Sequence, residues 1–243
     1  MSSLAHARIS LGCTGSAIPT HEHFRFQLDH ALARDAVHAQ LDVPQLRRAL
    51  DERGLPSLAV ASAAQKNRAT YLRRPDLGRT LSAESRALLE RRVADSEITS
   101  DLAIVLADGL SALALERHAM PLLGELIPGL HAAWTIAPVI LATGARVALG
   151  DEIGLLLGAQ VAVVLIGERP GLSSPDSLGV YITWQPRVGR TDAERNCISN
   201  IRSEGLSYST AAERILFYVR EAHRLQITGV ALKEDHSRSE LRG

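Results

Sequence analysis

The feature that most constrains the fold is a series of short, uninterrupted apolar runs in the second half of the chain. They occupy residues 102–107, 134–142, 146–149 and 161–166. Strands that are apolar along their whole length are typical of parallel sheets buried on both faces. Helical spacing of apolar residues follows these runs at 111–126, 151–157 and 211–225. This alternation predicts an α/β fold with a mostly parallel sheet.

Weaker signals complete the prediction for this half of the chain. Pro138 makes the run at 134–142 a poor central strand, because proline cannot donate a hydrogen bond to a neighbouring strand. Residues 180–184 alternate weakly between apolar and polar side chains, and residues 229–232 are predicted as a last strand.

The first hundred residues carry a helical pattern instead. Phe24, Leu28 and Leu32 recur every four residues in a segment that ends near residue 39. Asp42 followed by Pro44 is typical of a helix start, where an aspartate caps the first turn and proline is tolerated.

These patterns divide the chain into two parts. A further helix is predicted at 82–93, and only residues 58–60 resemble a strand in the first part. We therefore predict a helical N-terminal domain at residues 1–97, followed by a Rossmann-like, mostly parallel α/β domain at residues 98–243.

Composition excludes several kinds of partner. The chain has 243 residues, with 27 Lys and Arg against 27 Asp and Glu, so no strongly basic field exists for nucleic acid. No apolar run approaches the ~20 residues that a membrane-spanning helix needs. Residues 1–6 lack the features of a secretory signal. Cys13 and Cys197, far apart in the sequence, are interpreted as reduced cytosolic thiols.

Ligands of open parallel sheets bind beyond the carboxyl ends of the strands, and three segments are predicted to lie there. They are residues 108–109, residues 150–152 and the loop at 167–179. Glycines in the last loop allow close approach of the backbone to a flat or bulky ligand. The alternative is a surface turn with a helix cap at Ser174 or Asp176.

Other catalytic templates match poorly. Ser111 follows a predicted strand as in a hydrolase, but the second glycine of the nucleophile motif is missing. His21 and His23 have no third ligand nearby that would complete a zinc site. Cys197 can be a core thiol, a reactive thiol or a ligand contact, and a core thiol is the default.

Several blocks, in the same order, resemble the small subunits of ethanolamine ammonia-lyase, from about residue 9 to residue 233. The most characteristic are GERPGLS at 167–173, DSLG at 176–179 and RNCISNI at 195–201. Further similar blocks are FQLDHALARDAV at 26–37, AIVLADGLSALA at 103–114 and RVALGDEIG at 146–154.

This resemblance implies an adenosylcobalamin-dependent enzyme that converts ethanolamine to acetaldehyde and ammonia by a radical rearrangement. A large TIM-barrel subunit would hold the substrate, and the cofactor would lie between the two chains. Family contacts to cobalamin correspond here to Val147, Glu168 and Cys197. Without the resemblance, an ion pair with a neighbouring arginine is the simpler interpretation of Glu168. No catalytic residue is expected in this chain.

The sequence lacks the D-x-H-x-x-G motif of mutases that replace the lower base of cobalamin with a histidine. We therefore expect base-on binding, with the cofactor's own dimethylbenzimidazole retained. The resemblance implies location in a bacterial microcompartment. Because only residues 1–7 precede the shared core, the cytoplasm is the alternative location. A corrinoid carrier without catalytic role and a hydrolase using Ser111 remain the alternative functions.

Overall fold

The computed structural model describes residues 19–64, 67–94 and 100–233. Seven α-helices are present in this part of the chain: α1 (Thr20–His38), α2 (Val43–Asp51), α3 (Arg68–Arg73), α4 (Ala83–Ala94), α5 (Ala112–His131), α6 (Leu149–Leu156) and α7 (Tyr208–Leu225). Six strands accompany them: β1 (Ser57–Ala61), β2 (Leu102–Ala107), β3 (Val139–Thr143), β4 (Val161–Gly167), β5 (Leu178–Trp184) and β6 (Asn196–Ile201).

The six strands form one sheet with the order β1-β3-β2-β4-β5-β6. The four strands from β1 to β4 are parallel, β5 pairs antiparallel with β4, and β6 pairs antiparallel with β5. The predicted mixed α/β class with a mostly parallel sheet is therefore confirmed. β1 contains residues 58–60, the strand-like stretch of the first part, and pairs with β3 along its whole length. The proposed domain boundary, between residues 97 and 98, lies within residues 95–99, outside the described residues, and stays a prediction.

Both faces of the sheet are buried, which explains why the central strands are apolar throughout. Helices α2, α5 and α7 cover one face, and α4 and α6 cover the other. All six residues of β2 and all seven of β4 are buried. The predicted cap of α2 is confirmed, since the Asp42 carboxylate accepts a hydrogen bond from the Gln45 backbone N–H at 2.9 Å.

Three strand predictions need correction. Residues 146–148 form a turn, and Leu149 begins α6 because its side chain packs into the core on one helical face with Ile153. Residues 229–232 also form a turn, which starts at Gly229 with a φ of +89°. β3 is an interior strand after all, because Pro138 lies just before its first residue and disturbs no hydrogen bond within it.

No helix in the described part of the chain is long and apolar enough to span a membrane. Cys13 and the residues after 233 lie outside the described residues.

Candidate functional site

A cleft of about 410 Å³ opens at the carboxyl ends of the central parallel strands. Its walls come from the segments that follow β2, β3 and β4, together with one tyrosine from α3 and one from β5. The lining residues are Tyr71, Gly109, Leu110, Arg146, Val147, Ile166, Gly167, Glu168, Arg169 and Tyr181. Two of the three predicted segments, at 108–109 and at 167–179, therefore contribute to one cleft.

A buried carboxylate, that of Asp108, holds the chain segment that leads from β3 to Val147. Asp108 accepts hydrogen bonds from the backbone N–H groups of Gly144 and Ala145, both at 2.9 Å. Burial raises the pKa of Asp108, and the two N–H donors and Arg68, which lies 3.5 Å away, oppose that rise. The Asp108 carboxylate is thus a structural brace for the turn after β3.

The third predicted segment, residues 150–152, is not a ligand loop but the first turn of α6. Asp151 and Glu152 are both almost completely buried. Asp151 forms an ion pair with Arg195, and Glu152 pairs with Arg86 and accepts a hydrogen bond from the Leu81 backbone N–H. Asp151 thus connects α6 to the residue just before β6, and Glu152 connects it to α4 and to the residue Leu81 before α4. Neither carboxylate is available to bind a ligand.

Glu168 bridges the two antiparallel strands at the rim of the cleft. Its Oε2 atom accepts hydrogen bonds from the Ser177 hydroxyl at 2.5 Å and from the Asn200 backbone N–H at 3.2 Å. Asn200 has a φ of +61°, a left-handed conformation that asparagine tolerates better than most residues. The simpler interpretation of an ion pair is replaced by these two contacts, which organise the backbone at the ends of β5 and β6.

Gly179 makes room for this arrangement. A Cβ atom at this position would lie only 2.8 Å from Oε1 of Glu168 and 3.0 Å from its Cγ. The Glu168 side chain therefore lies directly over the backbone of β5, where any larger residue than glycine would displace it.

Ser111 is a helix cap and not a nucleophile. Its hydroxyl is fully buried, accepts a hydrogen bond from the Ala114 backbone N–H and donates one to the Pro175 carbonyl at 3.0 Å. No helix begins at Ser174 or at Asp176. Instead, the Asp176 carboxylate accepts a hydrogen bond from Arg117 on α5 at 2.8 Å, which anchors the loop after β4 to the body of the sheet.

Cys197 lies on the edge strand β6. Its side chain is exposed, so the default interpretation of a core thiol is wrong. In the register of the sheet Cys197 pairs with Tyr181, whose hydroxyl hydrogen-bonds the thiol. Desolvation raises the pKa of Cys197, and the hydrogen bond from Tyr181 opposes this.

The structure brings Val147 and Glu168 to the same cleft, and Cys197 adjoins it through Tyr181. Cys197 itself borders a separate depression on the outer side of β6. Sequence reasoning missed Tyr71, Tyr181 and Arg146. The available signal for Arg146 was its position next to Val147, whereas Tyr71 belongs to a helix of only six residues that shows no clear periodicity.

Comparison with known proteins gives one consistent result. The family described as "Ethanolamine ammonia-lyase light chain (EutC)" matches residues 1–233. The chain is 54% identical over 241 residues to the "Ethanolamine ammonia-lyase small subunit" of Azotobacter vinelandii, which covers 99% of this chain and 89% of that protein. The proteins of the same name from Pseudomonas fluorescens and Xanthomonas campestris are 55% and 54% identical, covering 96% and 97% of this chain and 84% and 86% of theirs.

Proposed function

We propose, because this chain belongs to the family of ethanolamine ammonia-lyase light chains, that it is one subunit of a lyase that converts ethanolamine to acetaldehyde and ammonia. The observation that carries the proposal is the match along 99% of the chain, combined with an open cleft where an α/β sheet places its ligand.

The proposed partner is the large subunit, which the name "small subunit" of the relatives implies. We propose that it is a TIM barrel that binds ethanolamine. The architecture of the cleft supports the need for a partner, since it is open to solvent and its side chains include no activated nucleophile. Ser111 is occupied as a cap, and Asp108, Asp151 and Glu152 are occupied in structural contacts. We propose that this chain contributes no catalytic residue.

The proposed cofactor is adenosylcobalamin, and the described residues fit such a group. The cleft volume accommodates only part of a corrinoid, as expected for a cofactor held between two chains. The Arg146 Nε atom is buried in the cleft wall without a hydrogen-bond partner, and such a donor calls for a ligand acceptor. When bound, the cofactor supplies radical chemistry through homolysis of its cobalt–carbon bond.

Each of the three proposed contact residues offers a different group. Val147 presents an apolar side chain at the cleft wall. Glu168 has its Oε2 engaged, and we propose that Oε1 accepts a hydrogen bond from an amide side chain of the corrin ring. Cys197 presents an exposed thiol on β6, beside Tyr181. We propose that it contacts the part of the cofactor that extends past the edge of the cleft.

We further propose that the cofactor keeps its own dimethylbenzimidazole as lower ligand, because the sequence offers no D-x-H-x-x-G motif. A cobalt hyperfine signal from a histidine nitrogen would contradict this. By family resemblance the complex belongs in a bacterial microcompartment, with the cytoplasm as the alternative. Cell fractionation with a shell protein as marker distinguishes the two locations.

The test is co-expression of this chain with the large-subunit gene of the same genome, followed by purification of the complex. Acetaldehyde release from ethanolamine should require both chains and adenosylcobalamin. Turnover by this chain alone, or turnover without the cofactor, would contradict the proposal. A complex that binds the corrinoid and has no lyase activity would favour the alternative of a carrier protein.

A further inference from the structure

Arg146 is held in one position by the residues around it. Its guanidinium carbon lies 4.4 Å from the centre of the Tyr71 ring, in a cation–π contact. Gly78 packs against its aliphatic part so closely that a Cβ there would lie 2.9 Å from the Arg146 Cγ. Tyr71 is itself fixed, because it is buried and donates a hydrogen bond to the Ala145 carbonyl at 3.0 Å. Arg146 is therefore a preorganised cation.

This preorganised cation lacks an acceptor. The Nε atom of Arg146 is buried without a hydrogen-bond partner, and within the described residues Arg146 forms no ion pair. A ring face satisfies the charge in part but accepts none of the five N–H donors of a guanidinium. Native structures rarely leave such donors buried and unpaired, so the missing acceptor is expected to come from a bound molecule.

The charges around the cleft define the kind of acceptor. Arg169, which also lines the cleft, is exposed and carries a second positive charge. Glu168 is the one acidic residue among those that line the cleft, and its carboxylate already accepts two hydrogen bonds. Arg68, behind Tyr71, has its own partner in Asp108. The two arginines and one glutamate that line the cleft therefore have a net charge of +1. This charge suits an anion with a single negative charge.

We propose that Arg146 binds the phosphodiester group in the nucleotide loop of the corrinoid. This proposal rests on the proposed function, and it adds a contact that selects the complete cofactor over one without its nucleotide. A phosphodiester carries one negative charge, and its two unesterified oxygens suit the planar fork of a guanidinium. The other peripheral groups of a cobalamin are neutral amides, which gain less from a fixed cation.

The experiment compares two corrinoids on the purified complex of both subunits. Cobalamin contains the phosphodiester, and cobinamide lacks the whole nucleotide loop. Equilibrium titration followed by absorbance should show that Arg146→Gln weakens cobalamin binding about ten- to hundredfold, as expected for the loss of a charge-assisted hydrogen bond. Cobinamide binding should change by less than about twofold. Arg220→Gln, an equal change of charge on the exposed side of α7, should affect neither ligand.

Phosphorus NMR of the complex saturated with cobalamin gives a second readout. The phosphodiester resonance of the wild-type complex should differ from that of the Arg146→Gln complex, and an unchanged resonance would overturn the proposal. So would equal weakening of cobalamin and cobinamide, or no weakening of either. If the wild-type complex binds no cobalamin, the proposed function itself fails. Thermal unfolding of each variant identifies any that has lost its fold, and Arg146→Lys then replaces Arg146→Gln in the same titrations.

Discussion

The arrangement of Glu168 over Gly179 predicts a specific effect of adding one methyl group. In Gly179→Ala, the new Cβ would lie 2.8 Å from Oε1 and 3.0 Å from Cγ of Glu168, whereas carbon contacts are comfortable from about 3.5 Å. The Glu168 side chain must therefore rotate away. In doing so it loses its hydrogen bonds from the Ser177 hydroxyl and the Asn200 backbone N–H.

The size of this effect follows from those two contacts. A hydrogen bond to a charged group contributes about 1.5–3 kcal/mol. Because the rim of the cleft is open, water replaces part of what is lost, and we expect the free energy of unfolding to fall by about 1–2 kcal/mol. Urea unfolding followed by tryptophan fluorescence measures this change. Cofactor affinity of the complex should fall together with it, because Glu168 no longer faces the cleft.

A double-mutant cycle isolates the cause. In a Glu168→Ala background no carboxylate remains to be displaced, so adding Gly179→Ala should cost almost nothing. Gly124→Ala is the matched control, since no atom lies within 4 Å of a Cβ at this exposed position of α5. It should stabilise the helix by about 1 kcal/mol. Equal destabilisation by Gly179→Ala with and without Glu168 would refute the reasoning.

Two further predictions concern ionisable groups near the start of β6. A backbone hydrogen bond from Thr191 is the main cause that lowers the pKa of Glu194 from 4.5 to about 2. Its contribution to stability is therefore complete above about pH 4.5 and is lost as the pH falls towards 2. The unfolding midpoint of Glu194→Gln should decline less steeply over that range, and parallel curves would contradict this. Tyr181→Phe removes the hydroxyl that lowers the pKa of Cys197, so alkylation of Cys197 by iodoacetamide at pH 8 should slow in a Cys13→Ser background. Faster alkylation would be the contrary result.

The sequence predicted those elements whose signals are local. The apolar run at 102–107 is β2 itself, and the run at 161–166 is β4 without its last residue. Asp42 caps α2 as its side chain and position indicated. A strand that is buried on both faces appears in the sequence as one run of apolar residues. A helix cap forms its hydrogen bond within one turn. A short stretch of sequence is therefore enough to predict each of these features.

The rest depends on contacts between distant segments. β6 shows an alternation of buried and exposed residues, but its exposed positions hold Cys197 and other polar residues, so the segment resembles a loop. The Asp151–Arg195 ion pair joins residues 44 positions apart. No residue close to Asp151 in the sequence indicates that its carboxylate forms a buried ion pair. Residues 146–149 are apolar enough for a strand, but hydrogen bonding to Gly78 and the packing of α6 impose a turn and a helix there.

The candidate site shows the same division. The positions of Val147 and Glu168 on one cleft follow from the rule that ligands bind at the carboxyl ends of parallel strands. The contribution of Tyr71 could not be predicted, because it depends on how α3 folds back over the turn after β3. That Val147, Glu168 and Cys197 bind a cofactor stays a prediction, which the same cobalamin titration on variants of these three residues would test.

The position of β1 in the sheet has a consequence for the chain during its synthesis. The register partners Ala61 and Thr143 are 82 residues apart (143 − 61), because β3 is the neighbour of β1. At a translation rate of about 5–20 residues per second, the partner strand appears roughly 4–16 s after β1 has been made. Loop closure over this distance also slows the pairing after release. Misassembly on the ribosome is therefore a risk mainly for this early segment, whose edge has nothing to pair with until more than half of the protein has been translated.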